Sequence, residues 1–172
     1  MKNKIRLYLF LVVIGLCSVP SAQAQYRKGD LLLNVGVGEG IHSNRLVPHV
    51  SFEYGFGKYF SAGVQTDIYT YRVWNDNRVY TAMPASLRGS YHYGKHFVKN
   101  RSLDLYAGAA VGYQSIREKE YWNPRPHIGR YGDKVSVGLY AGVKYYVRPK
   151  FGFFAEVGHN ISWLKAGVAW KF

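Results

Sequence analysis

The chain has 172 residues and a formal net charge of +13, and its 16 Tyr, 9 Phe and 19 Gly favour strands and tight turns over helices. Its single cysteine, Cys17, excludes a disulfide scaffold, a thiolate zinc centre and a cysteine nucleophile once the segment that holds it is removed. A basic chain often meets nucleic acid, but the amino terminus argues for export, and anionic lipid headgroups or lipopolysaccharide phosphates are then the natural counter-charges.

That terminus has a basic start (Lys2, Lys4, Arg6), an apolar run from Leu7 to Leu16 and a small-residue end, Ala22-Gln23-Ala24. It reads as a secretory signal peptide over residues 1–24, cleaved after Ala24. Removing its three cations lowers the net charge to +10 and leaves residues 25–172 as one domain. Leu16 before Cys17 disfavours a lipoprotein reading, because lipoprotein processing wants a small residue there. No run from Gln25 onward is long enough for a spanning helix, which needs about 20 apolar residues.

From Leu31 onward apolar and polar residues alternate, the pattern of a strand with one face to lipid and one to a lumen. The first segment sets Leu31, Leu33, Val35 and Val37 against Leu32, Asn34, Gly36 and Gly38; the second sets Val50, Phe52, Tyr54 and Phe56 against His49, Ser51, Glu53 and Gly55. The third sets Phe60, Ala62, Val64, Thr66 and Ile68 against Ser61, Gly63, Gln65, Asp67 and Tyr69. In the fourth, Met83, Ala85, Leu87, Tyr91 and Tyr93 oppose Pro84, Ser86, Arg88, Ser90 and His92. The fifth, Leu103 to Gln114, and the sixth, Val135 to Tyr146, place odd positions outward and even positions inward. The seventh sets Phe151, Phe153, Ala155 and Val157 against Gly152, Phe154, Glu156 and Gly158, and the eighth sets Leu164, Ala166, Val168, Trp170 and Phe172 against Lys165, Gly167, Ala169 and Lys171. The expected fold is therefore all-β: an eight-stranded antiparallel up-and-down transmembrane barrel.

Charge placement sharpens this. Glu53, Asp67, Arg88, Asp104, Lys144, Glu156 and Lys165 all take the polar parity, which makes them a lumenal charge network. A lysine or arginine facing lipid at mid-depth costs about 2 to 4 kcal/mol, and none is placed there. Ala-Gly recurs at residues 62–63, 107–108, 141–142 and 166–167, Ala outward and Gly inward, which leaves room for bulky lumenal neighbours.

Short periplasmic turns are expected at Gly57-Lys58, Gly94 to Ser102 and Arg148 to Lys150. Outer loops are expected at Glu39 to Leu46, Tyr71 to Arg78, Arg117 to Lys134 and Asn160-Ile161. Outward aromatics (Tyr54, Phe56, Phe60, Tyr91, Tyr93, Tyr145, Phe151, Trp170 and Phe172) then form a girdle at the periplasmic interface. A two-residue turn at Asn160-Ile161 pairs Glu156 with Lys165 across the last hairpin.

With these strands and its carboxyl end Leu164-Lys165-Ala166-Gly167-Val168-Ala169-Trp170-Lys171-Phe172, the chain resembles the small outer-membrane β-barrel proteins of Gram-negative bacteria, including the porin-like "outer membrane protein beta-barrel domain" group. The resemblance covers residues 25–172. It implies a place in the cell outer membrane, contact with lipid and lipopolysaccharide, and recognition by the outer-membrane insertion machinery through Leu164, Ala166, Val168, Trp170 and Phe172.

A non-enzymatic, monomeric protein serving envelope integrity or surface contacts is the expected role. The basic, aromatic loop 117–134 is the candidate surface for a ligand, and no cofactor, metal or catalytic residue is assigned. His42, His49, His92, His96, His127 and His159 lack metal-ligand spacing. Alternatives are a narrow water or ion pore and a lipid A-modifying enzyme, for which His159 and Ser162 on the outward parity, with Glu156 nearby, are the right residue types. A soluble lipocalin-like barrel is disfavoured by the aromatic girdle, Phe172 and a lumen expected to be basic.

Overall fold

Period-two alternation is realised as eleven described strands and one helical turn. A computed structural model describes residues 26–40, 43–72, 79–82, 84–98, 101–114, 116–119, 134–159 and 162–172. In chain order these form β1 (Leu31–Gly40), β2 (Ser43–Gly55), β3 (Phe60–Asp67), β4 (Tyr69–Arg72), β5 (Val79–Ala82), β6 (Ala85–Tyr91), α1 (Gly94–Phe97), β7 (Leu103–Gln114), β8 (Ile116–Lys119), β9 (Lys134–Arg148), β10 (Phe151–His159) and β11 (Ser162–Lys171). Eight strands close into an antiparallel barrel in the order β1-β11-β10-β9-β7-β6-β3-β2. The seam is tied at its lower end by two backbone bonds between Leu31 and Phe172.

Burial follows the alternation. Val35, Val37, Val50, Phe52, Val64, Leu87, Val111, Val137, Leu139, Phe153 and Val157 are exposed on the wall, while Asn34, Ser51, Ser86, Ser90 and the strand charges are buried inside. This inverts the order of a soluble protein and suits a bilayer, where closure leaves no unpaired strand edge in hydrocarbon. At the end with the short turns, Phe56, Phe60 and Tyr91 form a chain of rings with centroids 6.3 and 5.0 Å apart, and Phe151 meets Trp170 at 5.5 Å.

The far end differs from expectation in two ways. Glu39 to Leu46 is largely strand and not loop: β1 and β2 continue their pairing through Glu39↔Leu46 to Gly40↔Ser43, past a register shift. The segments expected as loops Tyr71–Arg78 and Arg117–Lys134 contribute to a second, three-stranded sheet in the order β4-β5-β8. Its pairs Tyr69↔Ala82 and Ala82↔Ile116 keep the register of Thr66↔Ala85 and Ala85↔Tyr113 below. The sheet therefore prolongs the wall formed by β3, β6 and β7. Four-residue strands are too short to show amphipathic alternation, so sequence pattern alone left them as loop. Most of 117–134, the turn 160–161 and the expected signal peptide lie outside the described residues.

Candidate functional site

Many ionisable groups converge in the barrel interior. β2, β3, β6 and β7 deliver its lower half. Glu53 accepts hydrogen bonds from Ser61 Oγ at 2.7 Å and Ser90 Oγ at 2.6 Å, and its other oxygen lies 3.3 Å from Arg88 Nε and 3.8 Å from Lys144 Nζ. Ser61 Oγ is also 2.9 Å from His92 Nε2, and His92 Nδ1 meets Asp104 at 2.9 Å.

Arg88 sits at the centre. One edge of its guanidinium serves Glu53, Nη2 donates to Glu156 at 2.8 Å, Nη1 donates to Gln65 at 2.9 Å, and its plane lies 4.2 Å from the Tyr140 ring. Above it, Lys165 Nζ lies 3.3 Å from Glu156 and 3.7 Å from Asp67, whose other oxygen meets His49 Nδ1 at 2.8 Å. Tyr106, Tyr140, Tyr146 and Phe154 fill the space between.

All seven strand charges thus share one lumen, and Glu156 faces Lys165 in the register expected, with Phe154↔Gly167 and Gly152↔Ala169 beside it. The lumen is not basic, however. Among the described residues, Arg88, Lys144 and Lys165 face the four carboxylates Glu53, Asp67, Asp104 and Glu156, and Lys171 at the lower mouth pairs with Asp30.

Two histidines were visible at lumenal parity but looked isolated, because His49 and Asp67, like His92 and Asp104, are neighbours only across strands. Tyr26 carried no strand signal at all. It closes the lower mouth, stacking on His92 at 3.8 Å and 2° and donating to the carbonyls of Gly57 (2.9 Å) and Phe60. Burial pushes its phenol up to about 12.

Asp104, His92 and Ser61 are connected as in a hydrolase relay, yet Ser61 directs its proton to Glu53 and lies sealed beneath Tyr26. The other nucleophile candidate separates: His159 stays exposed, whereas Ser162 is buried against Gly38 and not outward. Glu39 pairs with Leu164 and Gly40 with Ser162, so Trp163 is an extra residue in β11 that breaks its alternation and turns the serine inward.

No protein-family model matches the sequence, and no curated protein matches it either. Solved structures do. The N-terminal β-barrel domain of Pseudomonas aeruginosa OprF aligns with a TM-score of 0.63 at 18% identity, over 86% of this chain and 100% of that one. OprG from the same bacterium aligns with a TM-score of 0.65 at 13% identity, over 88% and 99%. Ail, the attachment invasion locus protein of Yersinia pestis in complex with the heparin analogue sucrose octasulfate, aligns with a TM-score of 0.50 at 13% identity, over 84% and 99%. The fold is that of a small outer-membrane β-barrel. At these identities the likeness is one of fold, and the chain's own apolar wall and charged interior make it an integral outer-membrane protein.

Proposed function

We propose that this is a non-enzymatic, monomeric outer-membrane protein of the porin-like barrel group, whose closed barrel anchors the extension β4-β5-β8 and the segment 117–134 for envelope integrity or surface contacts. The observation that carries the reading is the centre of the lumen. Arg88, Glu53 and Glu156 are almost wholly buried, with Arg88 ion-paired to Glu53 at 3.3 Å and to Glu156 at 2.8 Å and tyrosines packed around them. Eight strands leave an interior that side chains can fill. The cations of 117–134, beside Tyr121, Trp122 and Tyr131, suit an anionic surface such as lipopolysaccharide.

Purified barrel in planar bilayers is expected to give no stable conductance steps, and sugar-driven swelling of loaded liposomes should match empty controls. Steady conductance that rises when Arg88 is replaced would favour the narrow-pore reading. Lipid A incubated with the protein should keep its mass, and a lost or transferred acyl chain would favour the enzyme.

Phe172 combines two roles that can be separated. Its backbone closes the seam with Leu31, while its exposed ring ends the strand that the family resemblance implies is read by the insertion machinery. F172A keeps the backbone bonds and should still lower the folded outer-membrane fraction, read as heat-modifiable gel mobility, with export processing intact. Normal assembly of F172A would reject the aromatic signal and leave only the seam.

A further inference from the structure

The lower rim of the barrel carries a charge pattern that the sealed-anchor reading does not use. Exposed cations occur at all four points around this mouth: Arg27 and Lys28 before β1, beside β11; Lys58 between β2 and β3; Lys95 and Arg101 between β6 and β7; Arg148 and Lys150 between β9 and β10. Lys95 is partly buried and the others are exposed. Among the described residues of these segments Asp30 is the sole side-chain carboxylate, and it is occupied by the Arg27 backbone at 2.7 Å and by Lys171 at 3.4 Å. The rim cations stand next to the aromatic girdle in the chain: Phe56 and Phe60 flank Lys58, Tyr91 and Tyr93 precede Lys95, and Phe151 follows Lys150. Girdle rings lie at the membrane interface, so residues just beyond them lie at headgroup depth.

Two of these cations are held together. Lys95 Nζ donates to the Lys58 carbonyl at 2.8 Å, and the two ammonium groups lie 5.6 and 5.0 Å from the centre of one ring, that of Tyr59. The ring of His96 stacks on the same tyrosine at 4.6 Å. No carboxylate among the described residues forms an ion pair with either lysine. Burial pulls the Lys95 ammonium below its ordinary value against the negative fields of Asp104 and Asp30, and the like charge of Lys58 adds a smaller pull in the same direction as burial. A phosphate between them would relieve that repulsion.

We infer that the periplasmic rim is a binding surface for anionic phospholipid headgroups, with Lys58 and Lys95 as its phosphate-binding pair. The inference rests on the outer-membrane reading, with the short turns on the periplasmic side. Distribution around the whole circumference fits an annulus of lipid, which meets every sector of the wall. A peptide or cell-wall strand would meet one sector only.

The test uses the full mature protein in detergent, with bound lipid counted by native mass spectrometry against phosphatidylglycerol, phosphatidylcholine and inorganic phosphate. The wild type should retain phosphatidylglycerol over phosphatidylcholine, with free phosphate competing weakly. K58Q/K95Q should lower the apparent affinity for phosphatidylglycerol roughly thirtyfold without changing phosphatidylcholine adducts, given the usual contribution of each cation at an anionic surface. R148Q/K150Q, on another sector of the rim and distant from Tyr26, should give a smaller loss and guards against a folding defect in the first variant.

Equal retention of both lipids by the wild type, or full phosphatidylglycerol binding by K58Q/K95Q, would overturn the inference. So would cell-wall sacculi that sediment the wild type but not the variant while lipid preference stays unchanged. Conductance in bilayers would overturn the sealed-anchor reading and leave the lipid preference standing.

Discussion

Replacing Arg88 with Met should destabilise the barrel more than removal of any other lumenal cation. The guanidinium is buried and contacts both Glu53, at 3.3 Å, and Glu156, at 2.8 Å. Truncating it leaves two carboxylates facing each other's field with only lysines to answer them, Lys144 at 3.8 Å and Lys165 at 3.3 Å. Breaking a buried pair by removing one partner costs about 3 to 5 kcal/mol, because an uncompensated charge remains. Lys165→Met removes its arms to Glu156 (3.3 Å) and Asp67 (3.7 Å) but should cost less, since Glu156 keeps its shorter contact with Arg88 and Asp67 keeps His49. Arg88→Lys should recover part of the loss, because a single ammonium cannot reach both carboxylates with the geometry of the fork. Urea unfolding of the purified barrel, followed by heat-modifiable mobility, gives the ordering. Equal midpoint shifts for Arg88→Met and Lys165→Met would show that the arginine is not the centre of the network.

The wall of the barrel was legible because a membrane imposes one rule on every residue of a strand. Each charge at mid-depth must turn inward, so Glu53, Arg88 and Lys144 declared their parity without any knowledge of their partners. The register of the last hairpin was equally legible, because a two-residue turn at 160–161 predicts the pairing of Glu156 with Lys165, and a one-residue slip would send one strand's polar side chains into lipid. What stayed hidden depends on contacts between strands distant in sequence. Nothing near His92 announces that Ser61 and Asp104 will meet its two ring nitrogens, or that Tyr26 will cover it. Ser162 was misplaced for a related reason: the extra residue Trp163 breaks the alternation of β11 beside it, and only the pairing with β1 reveals that irregularity. The extension β4-β5-β8 stands beyond the hydrocarbon, where the lipid rule no longer filters the sequence, so its strands left no clear alternation to read.

The inward glycines should be the positions least tolerant of added bulk, and Gly142 tests this most sharply. A Cβ built on Gly142 would lie 2.5 Å from Cζ and 2.5 Å from the hydroxyl of Tyr106, and 2.9 Å from the Ala155 carbonyl. That ring is not free to yield. It is fully buried, its hydroxyl donates to Glu156 at 3.2 Å, and Lys144 Nζ lies 4.9 Å from its centre. Gly167 against Phe154 (2.9 Å) and Gly108 against the Tyr140 hydroxyl (2.5 Å) repeat the arrangement, so three of the four Ala-Gly pairs place the glycine beneath a lumenal ring. Gly142→Ala should therefore destabilise by about 1 to 3 kcal/mol, the usual penalty of overpacking, and Gly142→Val by more. Gly89 supplies the control within the same barrel, because it is exposed on β6 and its added Cβ would meet nothing within 4 Å. Gly89→Ala should be neutral or stabilising by a few tenths of a kcal/mol or more, since it only narrows the unfolded ensemble. Denaturant midpoints for the two alanine variants in one detergent decide the matter. If both shift alike, the loss comes from glycine's backbone freedom and the ring-over-glycine packing carries no weight.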